Sequence, residues 1–238
     1  MELISVIVPV YNRRDVFLKS LTSLISQTYS SLQIIIVDDG STEDIQTTFE
    51  SVCALYENEQ RSFLCIRQEN RGAPAARNRG LREAVGTYVI FWDADVIADP
   101  HMLQTMYDTL QKNTNASFAY SNFLFGRKLF RGMSFSFEEL KKKNYITTTS
   151  LIKTEDAVEW DESLKRFQDW DLWLTMAESG KSGIWIDKTL FKVEKGGTIS
   201  SWLPSFAYNK PFRWLPGMYG RVKKYENAER VIFDKHHL

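Results

Sequence analysis

Along its first hundred positions the chain alternates between short uninterrupted apolar runs and longer stretches with helical spacing. Residues 3–10, 32–37, 63–67 and 88–92 are the apolar runs. Runs of that length without polar alternation fit strands buried on both faces, as in a parallel sheet. Between them, Phe17, Leu21, Leu24 and Ile25 recur at the helical period, as do Ile45, Phe49, Val52 and Leu55 over residues 43–56. Asp15 and Ser41-Thr42 stand where helix caps are expected. A third helix is predicted to begin near Pro74, a position where the missing amide hydrogen is tolerated. Its Ala75, Ala76 and Gly80 permit close packing. Four strands alternating with three helices through short loops predict a doubly wound, Rossmann-like α/β domain with a mostly parallel sheet.

The rhythm changes near residue 112, after a fourth helix opened by Asp99-Pro100 and carrying Met102, Leu103, Met106 and Leu110. Residues 118–123 and 128–130 read as mixed or edge strands, 137–142 as a short helix and 150–153 as another strand. A helix led by Gln168-Asp169-Trp170-Asp171 runs to Ser179, where Gly180 stops it. Two short strands are predicted at 183–186 and 190–194. A stretch rich in Trp, Phe, Tyr and Pro follows over 202–219, and 221–232 reads as a final amphipathic helix. No Gly/Ser linker and no repeat interrupts the sequence. The expectation is one domain over 1–238, in which a regular half (1–112) carries a mixed-strand half (113–201) and an aromatic, helical tail (202–238).

Composition narrows the partners. Lys plus Arg and Asp plus Glu number 30 each, so no overall field favours nucleic acid, and phosphate must be recognised by a local cluster. Cys53 and Cys65 lie in apolar contexts and read as buried thiols rather than a disulfide. There is no CxxC and no His-rich tract, hence no zinc signature. No run of about 18 apolar residues could span a membrane, and no basic, apolar leader precedes the first strand. The cytoplasm is the expected compartment.

Chemistry enters through the polar clusters that end the strands. Ligands of open α/β sheets gather outside the carboxyl ends of the strands. Pro9-Val10-Tyr11-Asn12, Asp38-Asp39-Gly40-Ser41 and Asp93-Ala94-Asp95 would therefore share one rim. The Asp93/Asp95 pair offers hard oxygen ligands of the kind that hold magnesium or manganese on phosphate, although aspartates also close plain turns. Asp39 could accept from a nucleobase imide or a ribose hydroxyl. Arg71 and Arg77 offer charge-assisted donors to phosphate or base, or a solvated helix face.

Taken in order, Ser5–Asn12, Ile35–Thr42, Asn70-Arg71-Gly72, Ala76-Arg77-Asn78, Asp93-Ala94-Asp95 and Gln168–Leu174 make the chain resemble a family 2 glycosyltransferase of the glycosyltransferase A-type fold. The resemblance implies a nucleotide-sugar-binding half over 1–112 and an acceptor and catalytic-base half over 113–201. It implies that Pro9, Tyr11, Asn12, Asp39, Arg71 and Arg77 bind the nucleoside and diphosphate of a UDP, GDP or dTDP sugar. Asp93 and Asp95 would hold the ribose and a divalent cation, Mn2+ or Mg2+, with Asp95 the more direct ligand. Asp169 matches the base of an inverting displacement onto a saccharide or lipid-linked saccharide acceptor. Gln168 stands where relatives usually carry Glu, which leaves the base intact. Asp169 could also merely cap its helix. Asp171 is the rival base, turned away by one helical step of about 100°.

The pattern departs from the family in one place. Many relatives carry a late histidine on metal or phosphate, and residues 191–201 contain none. Either Lys195 or a Ser/Thr contacts phosphate instead, or water fills that shell, and Gly196-Gly197 suggests a closing loop. The aromatic tail could pack on the domain, bury in a homodimer, or rest on the inner face of a membrane near a lipid-linked acceptor. Prolines in that stretch favour packing. Two other readings compete. A sugar nucleotidyltransferase would open with a glycine-rich loop, which Val10–Arg14 lacks. A non-catalytic sugar-nucleotide or carbohydrate-binding relative is disfavoured by the presence of all three acids. A dinucleotide oxidoreductase is disfavoured by the missing GxGxxG.

Overall fold

In the computed structural model, which describes residues 1–54, 60–194 and 218–238, the predicted strands assemble in parallel. Strand β1 (Ile4–Val10) lies between β2 (Leu32–Asp38) and β4 (Tyr88–Phe91), and β3 (Arg61–Arg67) lies outside β2. Every residue of β2 is buried, which is why its sequence shows no polar alternation. Helices α1 (Arg14–Ile25), α2 (Ile45–Cys53) and α3 (Ala73–Arg82) make the crossovers.

The second half completes one nine-stranded mixed sheet. Its elements are β5 (Val96–Ala98), α4 (Met102–Lys112), β6 (Phe118–Phe125), β7 (Lys128–Phe130), α5 (Phe137–Lys142), β8 (Leu151–Lys153), α6 (Gln168–Glu178), β9 (Gly183–Val193) and α7 (Met218–Lys235). The strand order is β3-β2-β1-β4-β8-β6-β9-β5, with β7 on β6. Strand side chains alternate between two cores. Val6, Val8, Ile34, Ile36 and Ile90 join residues of α1, α2 and α4 on one face. Ile7, Ile35, Val37 and Phe91 join α5, α6 and α7 on the other. Helix α3 also packs on this second face. A Cβ on Gly80 would sit 2.4 Å from Ile7 Cγ2, so the helix backbone rests directly on β1.

Several expectations need correction. Residues 183–186 and 190–193 belong to the single strand β9, which ends one residue before the predicted limit at 194. The polar Asp187-Lys188-Thr189 between them is carried as an irregularity in the β6–β9 register near Asn122. Strand β5 was not anticipated, and it forms by antiparallel pairing with the end of β9. Asp15 lies inside α1, which begins after Arg13 in the left-handed region at φ 62°. Helix α2 is capped by Asp44, which accepts from Thr47 N, rather than by Ser41 or Thr42.

Leu55, Lys195, the Gly196-Gly197 pair and the aromatic stretch up to residue 217 fall outside the described residues. Helix α7 packs against α6 through Phe167–Tyr225 and Trp170–Phe233 ring contacts. His236, with its side chain 2% exposed, fixes the pair: Nε2 is 2.9 Å from Asp171 Oδ1 and Nδ1 is 2.9 Å from Glu178 Oε1. Among the described residues, Cys53 and Cys65 are thiols outside any disulfide. Among the described residues no helix is long and apolar enough to cross a membrane.

Candidate active site

The carboxyl ends of β1 and β2 are tied to each other before any ligand is considered. Asp39 N donates to Val10 O at 2.8 Å, Asn12 N to Ser41 Oγ at 2.8 Å, and Thr42 N to Asn12 Oδ1 at 2.8 Å. Asn12 adopts φ 56°, a left-handed turn that asparagine tolerates. Pro9 stands opposite Val37 in the β1–β2 register, and Tyr11 is 51% exposed beyond it. The two neighbouring aspartates then divide their work. Asp38 is structural: it accepts from Ser41 N and faces Arg67 NH1 at 3.3 Å. Asp39 shapes the β3–α3 loop, its Oδ1 accepting from Gln68 Nε2 (2.8 Å) and Arg71 N (2.9 Å), its Oδ2 from Gly72 N (2.8 Å). A carboxylate has about four acceptor sites, so one remains at Asp39. The exposed Arg71 guanidinium reaches Glu162 Oε2 at 2.8 Å.

Beyond β4 the chain makes a four-residue turn, with Val96 N donating to Asp93 O at 3.0 Å. The turn is held from three sides. Trp92 N donates to Ile7 O, Ser20 Oγ donates to Asp93 O and receives Trp92 Nε1, and Glu194 N at the end of β9 donates to Asp95 O. Asp93 Oδ1 accepts from Arg77 NH2 at 2.7 Å. Arg77, only 7% exposed, also stacks its guanidinium 4.4 Å from the Trp160 ring centroid, and its Nε has no partner among the described residues. Asp95 faces Arg13 NH1 at 3.9 Å. Burial, then the negative charge of Asp93, pushes its carboxyl up to about 6 against the opposing pull of Arg13 and Arg77.

Asp169, carried by α6, lies near enough to Arg77 and Asp93 for their charges to act on it. Helix α6 starts after Phe167, whose φ of 57° turns the chain sharply and puts Asp169 in the first helical turn. Its Oδ1 accepts from Trp170 N at 3.0 Å and its Oδ2 from Asn144 Nδ2 at 2.8 Å. Burial raises its proton affinity, the charge of Arg77 lowers it, and that of Asp93 raises it again. Asp171 points the other way, its Oδ1 taking His236 Nε2 and Lys235 Nζ. That contact with α7 removes it from the cleft.

Pro9, Tyr11, Asn12, Asp39 and Arg71 thus cluster at one end of the rim. Arg77, Asp93, Asp95 and Asp169 lie at the other. Sequence reasoning missed Arg13, Asn144, Trp160 and Glu162, which come from loops and touch the site only through tertiary packing. Asn78, beside Arg77, was the available signal. Its side chain clasps Trp160 in both directions (Trp160 N to Oδ1 at 2.7 Å, Nδ2 to Trp160 O at 2.9 Å) and reaches Glu162 Oε1 at 3.1 Å. Among the described residues no group of three or more His, Cys, Asp or Glu side chains is arranged to hold a metal alone.

A mixed sheet whose parallel strands end in polar turns on one rim, with a buried arginine near three carboxylates, defines an α/β domain with an acidic site at those strand ends. Residues 5–164 match Glycosyl transferase family 2, and the chain belongs to that family. Glycosyltransferase GlyA of Streptococcus pneumoniae serotype 4 is 40% identical over 104 residues, covering 44% of this chain and 14% of GlyA. The chain therefore spans a small part of that relative. Among solved structures, S. aureus TarS 1–349 in complex with UDP-GlcNAc superposes with a TM-score of 0.69 at 19% identity, over 98% of this chain and 65% of that one. Mannosyltransferase PcManGT from Pyrobaculum calidifontis, in complex with GDP-Man and Mn2+, gives 0.66 at 18%, over 96% and 69%. These two likenesses establish the glycosyltransferase A-type fold.

Proposed function

We propose that this domain is an inverting glycosyltransferase that moves a sugar from a nucleoside diphosphate to a saccharide or lipid-linked saccharide acceptor, with Asp169 as the base. The observation that carries the reading is the gathering of Asp93, Asp95 and Asp169 around Arg77, the one buried arginine or lysine among the described residues, at the carboxyl ends of the parallel strands. The two structural neighbours, crystallised with UDP-GlcNAc and with GDP-Man and Mn2+, support the donor class. Pro9, Tyr11, Asn12, Asp39 and Arg71 would bind the nucleoside, using the one acceptor site left on Asp39.

The residues fit a divalent cation, Mn2+ or Mg2+. Such ions need only one or two protein carboxylates when substrate phosphates and water complete the shell. Asp95, the more direct ligand, is a carboxylate whose repulsion from Asp93 a cation would relieve. Bound there, the ion supplies Lewis-acid stabilisation of the departing diphosphate. Arg77 keeps Asp93 oriented. Asp169 takes the acceptor hydroxyl's proton as the acceptor oxygen bonds to the anomeric carbon and the bond to diphosphate breaks on the opposite face. A positioned base of this kind contributes typically 10²–10⁴-fold.

A thermal-shift panel of UDP, GDP, dTDP and CDP sugars, with manganese, magnesium or chelator, tests the reading. A ligand at 100 times its dissociation constant should stabilise by about 2.7 kcal/mol. The absence of a metal-dependent shift with every nucleotide sugar would remove the proposal.

A further inference from the structure

Asp169 is held by a residue outside every motif that marks the rim. Asn144 Nδ2 donates to Asp169 Oδ2 at 2.8 Å, while Asn144 Oδ1 accepts from Ile146 N at 3.1 Å. The orientation of the amide is thereby forced. A flipped amide would point its NH2 at an N–H and its oxygen at a carboxylate. The strap carrying Asn144 is anchored on both sides. Lys143 N closes α5 on Glu139 O, Ile146 is buried, and the Tyr145 hydroxyl both accepts from Ser136 N and donates to Ser136 O. Helix α5, which leads into the strap, grips the next residue of α6, since Trp170 Nε1 donates to Leu140 O at 2.7 Å.

Oδ1 of Asp169 accepts from Trp170 N and Oδ2 from Asn144 Nδ2, and the carboxylate keeps acceptor capacity for a substrate proton. Both donors are neutral. The charged groups acting on the carboxylate are Arg77, which favours its ionised form, and Asp93, which opposes it. An arginine or lysine in place of Asn144 would form a salt bridge and weaken the base; an apolar side chain would leave the carboxylate to rotate.

We propose that Asn144 is a positioning residue for the acceptor-activating carboxylate, fixing its plane and favouring its ionised form through a neutral hydrogen bond. The inference rests on the assignment of Asp169 as the base, and the test separates the two. Asn144→Ala, Asn144→Asp and Asp169→Asn are compared for hydrolysis of the sugar nucleotide chosen by the thermal-shift panel, with water as acceptor, from pH 5 to 9. Asn144→Ala should lose about tenfold or more in kcat with donor KM unchanged, and its acid limb should rise by about one pH unit. Asn144→Asp keeps the shape but sets a second carboxylate against the base, and should raise the limb further. Wild-type kcat and limb in both variants, with Asp169→Asn inactive, would overturn the inference alone. So would loss of the nucleotide-dependent melting shift in Asn144→Ala, which would mark a general structural role. Turnover surviving in Asp169→Asn would overturn the base assignment, and the role of Asn144 with it.

Discussion

Asp95→Asn removes one negative charge from a half-buried turn while keeping its shape, and that charge has a calculable cost when no cation is present. A carboxyl raised from 3.8 to about 6 corresponds to about 3 kcal/mol against the ionised form in the folded state. Asparagine would recover part of this, since it loses the attraction of Arg13 and must satisfy its own amide. A net gain of about 1–2 kcal/mol at neutral pH is expected. With a urea slope near 2–3 kcal/mol/M for a domain of this size, the midpoint should rise by roughly half a molar.

The sign with pH follows from proton binding. The folded protein holds the Asp95 proton to higher pH than the unfolded chain does. Wild-type stability therefore falls as pH rises from about 4 to about 6 and is unaffected by this group above that. Urea denaturation in chelator should give Asp95→Asn the higher midpoint at pH 7.5 and a smaller advantage at pH 4.5. Manganese with the selected nucleotide sugar at 100 times its dissociation constant should add about 2.7 kcal/mol to the wild type and little to the variant, reversing their order. Equal midpoints at pH 7.5 without metal, or a gap that persists unchanged at pH 4.5, would refute the reasoning.

Asp169→Asn should retain the metal-dependent nucleotide shift but lose transfer by 10²–10⁴-fold in kcat; turnover near the wild-type rate would send the search for a base elsewhere. Gly80→Ala places a methyl 2.4 Å from Ile7 Cγ2 and should destabilise by about 1–3 kcal/mol through displacement of α3 from β1, read as a lower thermal midpoint. Asp171→Ala leaves His236 and Lys235 without their shared carboxylate. Limited proteolysis should then cut near α7 while the nucleotide shift is preserved, and an unchanged cleavage pattern would show that ring packing alone holds the helix.

The first half of the fold was legible because β1, β2 and β4 are buried on both faces and advertise it as unbroken apolar runs ending at one rim. The second half was less so. The polar Asp187-Lys188-Thr189 broke the apparent pattern of β9, and only its pairing with β6 through an irregular register restores the strand. Strand β5, three residues long, has no periodicity to read. The acids at the rim could be listed from their spacing. Their partners could not: Trp160 under Arg77, Glu162 on Arg71 and Asn144 on Asp169 lie 83, 91 and 25 residues away in sequence. Arg77 itself reads as a phosphate donor in sequence, and the structure turns it inward onto Asp93 because Trp160 covers it.

That buried guanidinium sets a rule of admission. Asp93, Asp95 and Asp169 bring three negative charges and Arg77 and Arg13 two positive ones, so the cleft starts short of neutrality. Arg77 lies between an aromatic ring and a carboxylate, with its charge already turned toward Asp93. Under the proposed function, a bare sugar diphosphate would deepen the deficit, whereas the same anion carried by a divalent cation would arrive neutral and leave it unchanged. On that proposal, Asp93, Asp95 and Asp169 would favour the chelate over the bare anion by avoiding any added negative charge.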